Sequence, residues 1–289
     1  MSITPPTPIR APRPPGATDE ELYLLGATRL EDYVDFVRQR TVGGRDLQKV
    51  DIADAWRDAA RVYKELQTSE AGIADKPEIL PLPAPLQAHV DKLIGLPHFE
   101  KTFSSVPVAF GMVQLDKLIV AQYGLTQSTL RKMAVTLPKA PDEKALAVVC
   151  LPLTAPSAEF KVALDDGKTF AFVSDTHDTR FLGAQLIDPA RITDLAVTGH
   201  AQAVLALSVG FTTNVLNVIR YGNRLVLNNG YHRAYALHAL GVTHAPCLIQ
   251  VCGHWEDVGL CAGGKCTKTG RFTSAPPGRP CCATTSIRP

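Results

Sequence analysis

No apolar run in this 289-residue chain approaches the roughly 18 to 20 residues needed to span a bilayer. Residues 1–16 also lack the apolar core of a signal peptide, so the expected location is cytoplasmic, with no membrane partner. An excess of one charge is missing too. Thirty basic residues against 28 acidic ones leave a net charge of +2. Duplex binding releases counterions through clustered Lys and Arg, so a dedicated DNA surface is not expected.

Regular cysteine spacing is absent as well. Cys150 and Cys247 fall in apolar, strand-like runs, where a thiol acts as a small hydrophobe. The other five cysteines (Cys252, Cys261, Cys266, Cys281 and Cys282) follow residue 250 and read as a local feature, not a disulfide framework. With His254 they offer donors that suit zinc, yet their spacing matches neither a zinc ribbon nor a finger, and no metal site is assigned. Residues 259–266 come close to a phosphate-binding Walker loop. Cys266 stands where that loop needs Ser or Thr, which rejects it.

What is present is an ordinary globular composition, 45% apolar and 20% charged, long enough for one large or two modest domains. Residues 1–17 hold six prolines and read as a disordered, polyproline-like arm. Residues 18–103 are expected to be mainly helical, from the spacing of Leu30, Val34 and Val37 and of Ile52, Trp56 and Tyr63. Residues 104–251 read as an α/β domain with an internal insertion, and residues 252–289 as an irregular Cys-rich tail. Within the domain, strands are expected at 108–120 and 145–153, and hairpins around Asp165-Asp166-Gly167 and around Tyr221-Gly222-Asn223. Asp188-Pro189 should open a helix to about residue 201; a further helix at 231–240 should stop at Gly241, before a strand at 245–251. The class is α+β (α/β).

The turn at residues 228–233, Asn-Asn-Gly-Tyr-His-Arg, carries the clearest chemistry. Gly230 lies between a strand and a helix, where a chain reverses tightly and backbone can approach a ligand. Asn228 or Asn229 is expected to cap the helix, with first-turn N–H groups pointing outward. His232 and Arg233 put positive charge at a helix N-terminus, against the dipole, and a bound anion would reverse that cost. The competing reading pairs Arg233 with a carboxylate elsewhere.

The run from Arg224 to Gln250 resembles the nucleotide-binding core of the ParB/sulfiredoxin-like superfamily. It holds a strand, a G-x-x-R turn at Gly230 and Arg233, an Ala- and Leu-rich helix, a stop at Gly241 and a strand led by Pro246. Residues 112–122 are more weakly similar to the first strand of such domains. The resemblance implies a small mixed-sheet domain that binds ATP or CTP phosphates, with Mg²⁺, through Asn228, Asn229, Gly230, Tyr231, His232 and Arg233. Members include partition CTPases, a sulfinic-acid reductase, free-serine kinases and proteins described as nucleases, so the fold does not choose the reaction. Two departures narrow the field. No helix-turn-helix is recognisable after residue 251. Tyr231 and His232 stand where the reductase carries its catalytic cysteine.

Residues 174–180, Ser-Asp-Thr-His-Asp-Thr-Arg, are the densest polar cluster. Asp175, His177 and Asp178 are candidates for a general base or for ligands of a phosphate-bridged Mg²⁺, and Arg180 for a second phosphate contact. The alternative is a solvated loop. Two functions stand side by side: a phosphoryl-transfer or nucleotide-hydrolysing enzyme, and a non-catalytic nucleotide-gated protein that regulates an unknown protein partner. A ParB-like nuclease ranks below both.

Overall fold

The computed structural model describes residues 21–23, 28–120, 124–154, 160–165, 169–174, 179–193, 199–211, 213–254 and 256–258. The Pro-rich arm, the cluster Asp175, His177 and Asp178, and the tail from residue 259 lie outside these described residues. The chain divides into two compact units, one of residues 1–17 and 154–214, the other of residues 18–153 and 215–289.

The larger unit is α+β. It begins with β1 (Glu21–Tyr23) and the helices α1 (Leu30–Arg40) and α2 (Lys49–Ser69), followed by β2 (Ile79–Leu80), α3 (Gln87–Ile94) and α4 (Phe99–Phe103). Next come β3 (Val108–Gln114), β4 (Ile119–Val120), β5 (Gly124–Thr126), α5 (Gln127–Thr136) and α6 (Glu143–Cys150). After the other unit, the chain resumes with β10 (Asn217–Tyr221), β11 (Arg224–Asn229), α7 (Tyr231–Ala239) and β12 (His244–Cys252).

Six strands form one mixed sheet in the order β2-β3-β12-β10-β11-β4. β12 pairs parallel with β10 and antiparallel with β3, while β10 and β11 form an antiparallel hairpin. Alternation along the central strands divides their side chains between two cores. Val218, Leu225 and Leu227 enter the larger cluster with Ala234 and Leu237 of α7 and Leu146 of α6. Ile219 and Val226 enter a smaller one with Ile119, Cys252 and Val258. A sheet apolar on both faces needs cover on both, which accounts for its near-continuous apolar strands. The Arg224–Asp75 ion pair and the Lys76 N–H donated to Asn223 C=O at 2.8 Å tie the loop before β2 to the β10–β11 turn.

Residues 145–150 are helical, not a strand. The Asp142 carboxylate accepts from the Ala145 N–H at 2.7 Å and caps α6. Leu146, Ala147 and Cys150 are buried while Val148 is exposed, a helical rather than an alternating pattern. A short all-apolar run cannot be typed by periodicity, and the N-cap decides it. Asp188 does cap, accepting from Ala190 N–H at 3.0 Å, but it opens only the single 3₁₀ turn Pro189–Arg191. Among the described residues no helix is long and apolar enough to cross a membrane.

The smaller unit contains two hairpins, β6 (Phe160–Asp165) with β7 (Thr169–Ser174) and β8 (Thr179–Ile187) with β9 (Val204–Phe211). The first matches the hairpin expected around residues 165–167.

Candidate functional site

The strand–helix turn is built from the end of β11. Gly230 adopts φ 93° and ψ 28°, the left-handed region, and its carbonyl accepts the first helical bond of α7 from the Ala234 N–H at 2.9 Å. At the far end, the Val242 N–H donates to Leu237 C=O and the Gly241 N–H to His238 C=O, a Schellman closure that ends the helix where the sequence places its stop. The Tyr231 hydroxyl donates back to Leu227 C=O and pins the first turn onto β11.

Neither asparagine caps α7. The residue at the cap position is Gly230, with no side-chain cap bond. The Asn229 side-chain amide donates to Val215 C=O at 3.1 Å. The Asn228 amide lies 3.4 Å from Gln250 Oε1, which also accepts from Asn217 at 2.8 Å. These carboxamides join neighbouring strands because a buried strand end presents acceptors that must be met. Asn217 and Gln250 were legible in principle as polar interruptions of the apolar runs Val-Leu-Asn-Val-Ile and Cys-Leu-Ile-Gln-Val.

Arg233 is 7% exposed, and its Nη1 donates to Val149 C=O at 3.0 Å. That carbonyl belongs to the last turn of α6, the negative end of a helix dipole. The charge in the first turn of α7 is therefore partly offset inside the fold by the end of α6. The rest of the guanidinium folds against Gly230: a Cβ there would meet Arg233 Nη2 at 3.2 Å, Nε at 3.3 Å and Leu216 Cδ1 at 2.8 Å. Leu216 N–H in turn donates to Cys150 C=O at 2.6 Å. The end of α6, Leu216, Gly230 and Arg233 thus form one packed junction.

Two thiols lie in the same region. Cys247 Sγ–H donates to Leu216 C=O at 3.1 Å. Burial pushes the Cys150 thiol up to about 12, against the opposing pull of the Arg233 charge. Burial, reinforced by Cys150, raises Cys247 well above the usual thiol range as well. A thiolate is the nucleophile, so both are inert. Iodoacetamide near neutral pH should leave Cys150 and Cys247 unlabelled in native protein and label both in denaturant. Peptide mass spectrometry reads the result, and native labelling at either position would show that the junction opens readily.

Residues 228–233 are brought together in the larger unit. Arg180 belongs to the other unit, exposed on β8, with Nη1 donating to Thr179 C=O at 2.9 Å. Asp175, His177 and Asp178 lie outside the described residues. Among the described residues no group of three or more His, Cys, Asp or Glu side chains is placed to hold a metal ion. Comparison with protein families, with curated proteins and with solved structures returns no match to this chain.

Proposed function

We propose that the turn at residues 228–233 binds the phosphates of a nucleotide, ATP or CTP with Mg²⁺, in a domain of ParB/sulfiredoxin-like type. The observation that carries this reading is the Arg233 guanidinium held against a left-handed Gly230 at the N-terminus of α7. A glycine without Cβ, a helix dipole and a rigid cationic fork are the three elements an oxyanion group uses at a helix start. His232, half-buried on the same turn, adds a second donor. A phosphoryl-transfer or hydrolytic reaction would need carboxylates for Mg²⁺ and a base, roles for which the sequence offers Asp175, Asp178 and His177.

Calorimetric titration with ATP, CTP and ADP, each with Mg²⁺, tests the proposal. Wild-type protein should bind at least one saturably. Arg233→Lys keeps the charge and removes the fork, and should weaken that binding roughly 10- to 100-fold. Absence of heat with all three nucleotides would end the reading.

A specific feature favours the non-catalytic alternative. The chain leaves the larger unit after Leu153 and re-enters at Val215, whose carbonyl takes the Asn229 amide, while Leu216 packs on Gly230 and bonds to Cys150. Binding at the turn would then tighten the points where the chain leaves and re-enters, both of which belong to the larger unit. Limited proteolysis with and without nucleotide should then show altered cutting in residues 154–214. An unchanged digest in nucleotide-saturated protein would leave catalysis as the better account.

A further inference from the structure

The last carbonyls of α6 are taken up by three separate parts of the larger unit. Val149 C=O accepts from Arg233 Nη1 at 3.0 Å, and Cys150 C=O from the Leu216 N–H at 2.6 Å. Leu151 C=O lies 2.7 Å from His89 Nε2, across 62 positions of sequence. A carbonyl only accepts, so the imidazole donates and its Nε2 carries the proton. Carbonyls at a helix C-terminus have no partner within the helix, and a buried one must find it elsewhere. The end of α6 is thus the meeting point of α3, the segment before β10 and α7.

His89 is half-buried in the first turn of α3. Its neighbours Val90 and Leu93, 2% and 0% exposed, anchor that helix in the main core. On the other side of the contact, the Leu151 N–H donates to Ala147 C=O at 2.8 Å, so the last turn of α6 moves as one hydrogen-bonded piece. A shift at Leu151 C=O is therefore passed to Val149 C=O, two residues back, which holds Arg233 beside Gly230. We infer that His89 is a positioning residue for the anion turn: it fixes the end of α6 and, through Val149 C=O, sets the guanidinium fork of Arg233. It acts through the helix end and not on the ligand. The ligand is the nucleotide phosphate proposed above, on which this inference rests, while the contacts from His89 to Arg233 stand without it.

The fork is what makes such positioning matter. A guanidinium meets phosphate through two parallel N–H bonds, which weaken when its plane is turned, whereas an ammonium is a point charge with rotating donors. Binding groups of that kind depend on the side chains that lock them, and small displacements cost affinity. A hydrogen bond that only stabilised the fold would lower stability and leave the affinity of the folded protein alone. A positioning bond should lower affinity as well, and only while the fork is there to be aimed.

Titration of the full chain with ATP, CTP and ADP, each with Mg²⁺, tests the role. His89→Leu keeps most of the bulk and removes the donor, and should weaken binding about 3- to 10-fold, the effect of losing one hydrogen bond. His89→Gln places a donating amide where Nε2 stands and should restore affinity to within about twofold. In an Arg233→Lys background, His89→Leu should add no further loss. Equal losses in the two backgrounds overturn the inference, as does a His89→Gln that binds no better than His89→Leu. A second measurement needs no nucleotide. The Arg233 Nε–H signal in proton–nitrogen correlation NMR should move in His89→Leu and return in His89→Gln; a signal that stays in place overturns the role. Wild type alone gives a third reading: long-range proton–nitrogen spectra should show His89 Nε2 protonated, and a ring protonated only at Nδ1 ends the inference. If the Arg233 signal moves as stated while no nucleotide binds, the nucleotide reading fails and the positioning role stands.

Discussion

Alanine at position 230 should lower the unfolding free energy by about 2–5 kcal/mol, measured by urea titration. Two costs add. The left-handed backbone at φ 93° penalises any residue with a Cβ by about 1–2 kcal/mol. The new methyl would also stand 2.8 Å from Leu216 Cδ1, closer than real contacts allow, and Leu216 is fully buried in the main core. Overpacking of that kind costs about 1–3 kcal/mol. Gly222 separates the terms. It has φ 59° with open space where a Cβ would go, so Gly222→Ala should show the backbone cost alone, about 1 kcal/mol. Equal losses at the two sites would mean that the junction of Leu216, Gly230 and Arg233 yields freely. If the turn also holds phosphate, Gly230→Ala should weaken nucleotide binding well beyond its effect on folding at temperatures where the variant remains folded.

That junction also marks the limit of what residue order reveals. The strand–turn–helix–strand succession from Arg224 to Cys252 is written locally, because each boundary has its own signal. The Tyr-Gly-Asn turn, Gly230, Gly241 and the apolar strand from 245 each act within a few residues of themselves. The partners of the turn do not. Arg233 reaches Val149 across 84 positions, and Asn217 reaches Gln250 across 33. No pattern along the chain couples such residues. Read along the chain, Arg233 could therefore not be matched with the end of α6 that partly offsets its charge, and Asn228 or Asn229 looked like a cap, although their amides bond to Gln250 and to Val215 C=O. The misreading of residues 145–150 has a related origin. Six apolar or small residues fit a buried strand and a buried helix equally, and only the Asp142 carboxylate three residues before Ala145 decides between them.

Alkaline pH should destabilise the protein through Cys150. Its thiol titrates at about 12 in the folded chain, against 9.0 as its ordinary value, because burial penalises the thiolate. The sign follows from proton binding. Below about pH 9 both states carry the proton, and the full stability is present. Above it the unfolded chain releases the proton that the folded chain retains, so stability falls as pH rises towards 12. A shift of that size is worth on the order of 4 kcal/mol over the whole window, with about 3 kcal/mol of it lost by pH 11. Cys247, raised for the same reason, acts with the same sign. Other groups titrate in this range, so the comparison must isolate the thiol. Urea unfolding under reducing conditions, at about pH 8 and pH 11, should show a markedly smaller alkaline loss for Cys150→Ala than for wild type. The packing lost in the substitution lowers the variant's stability equally at both pH values and so leaves the alkaline loss itself unaffected. Parallel slopes would mean that water already reaches Cys150 in the folded state, and that the end of α6 does not seal the junction beneath Gly230.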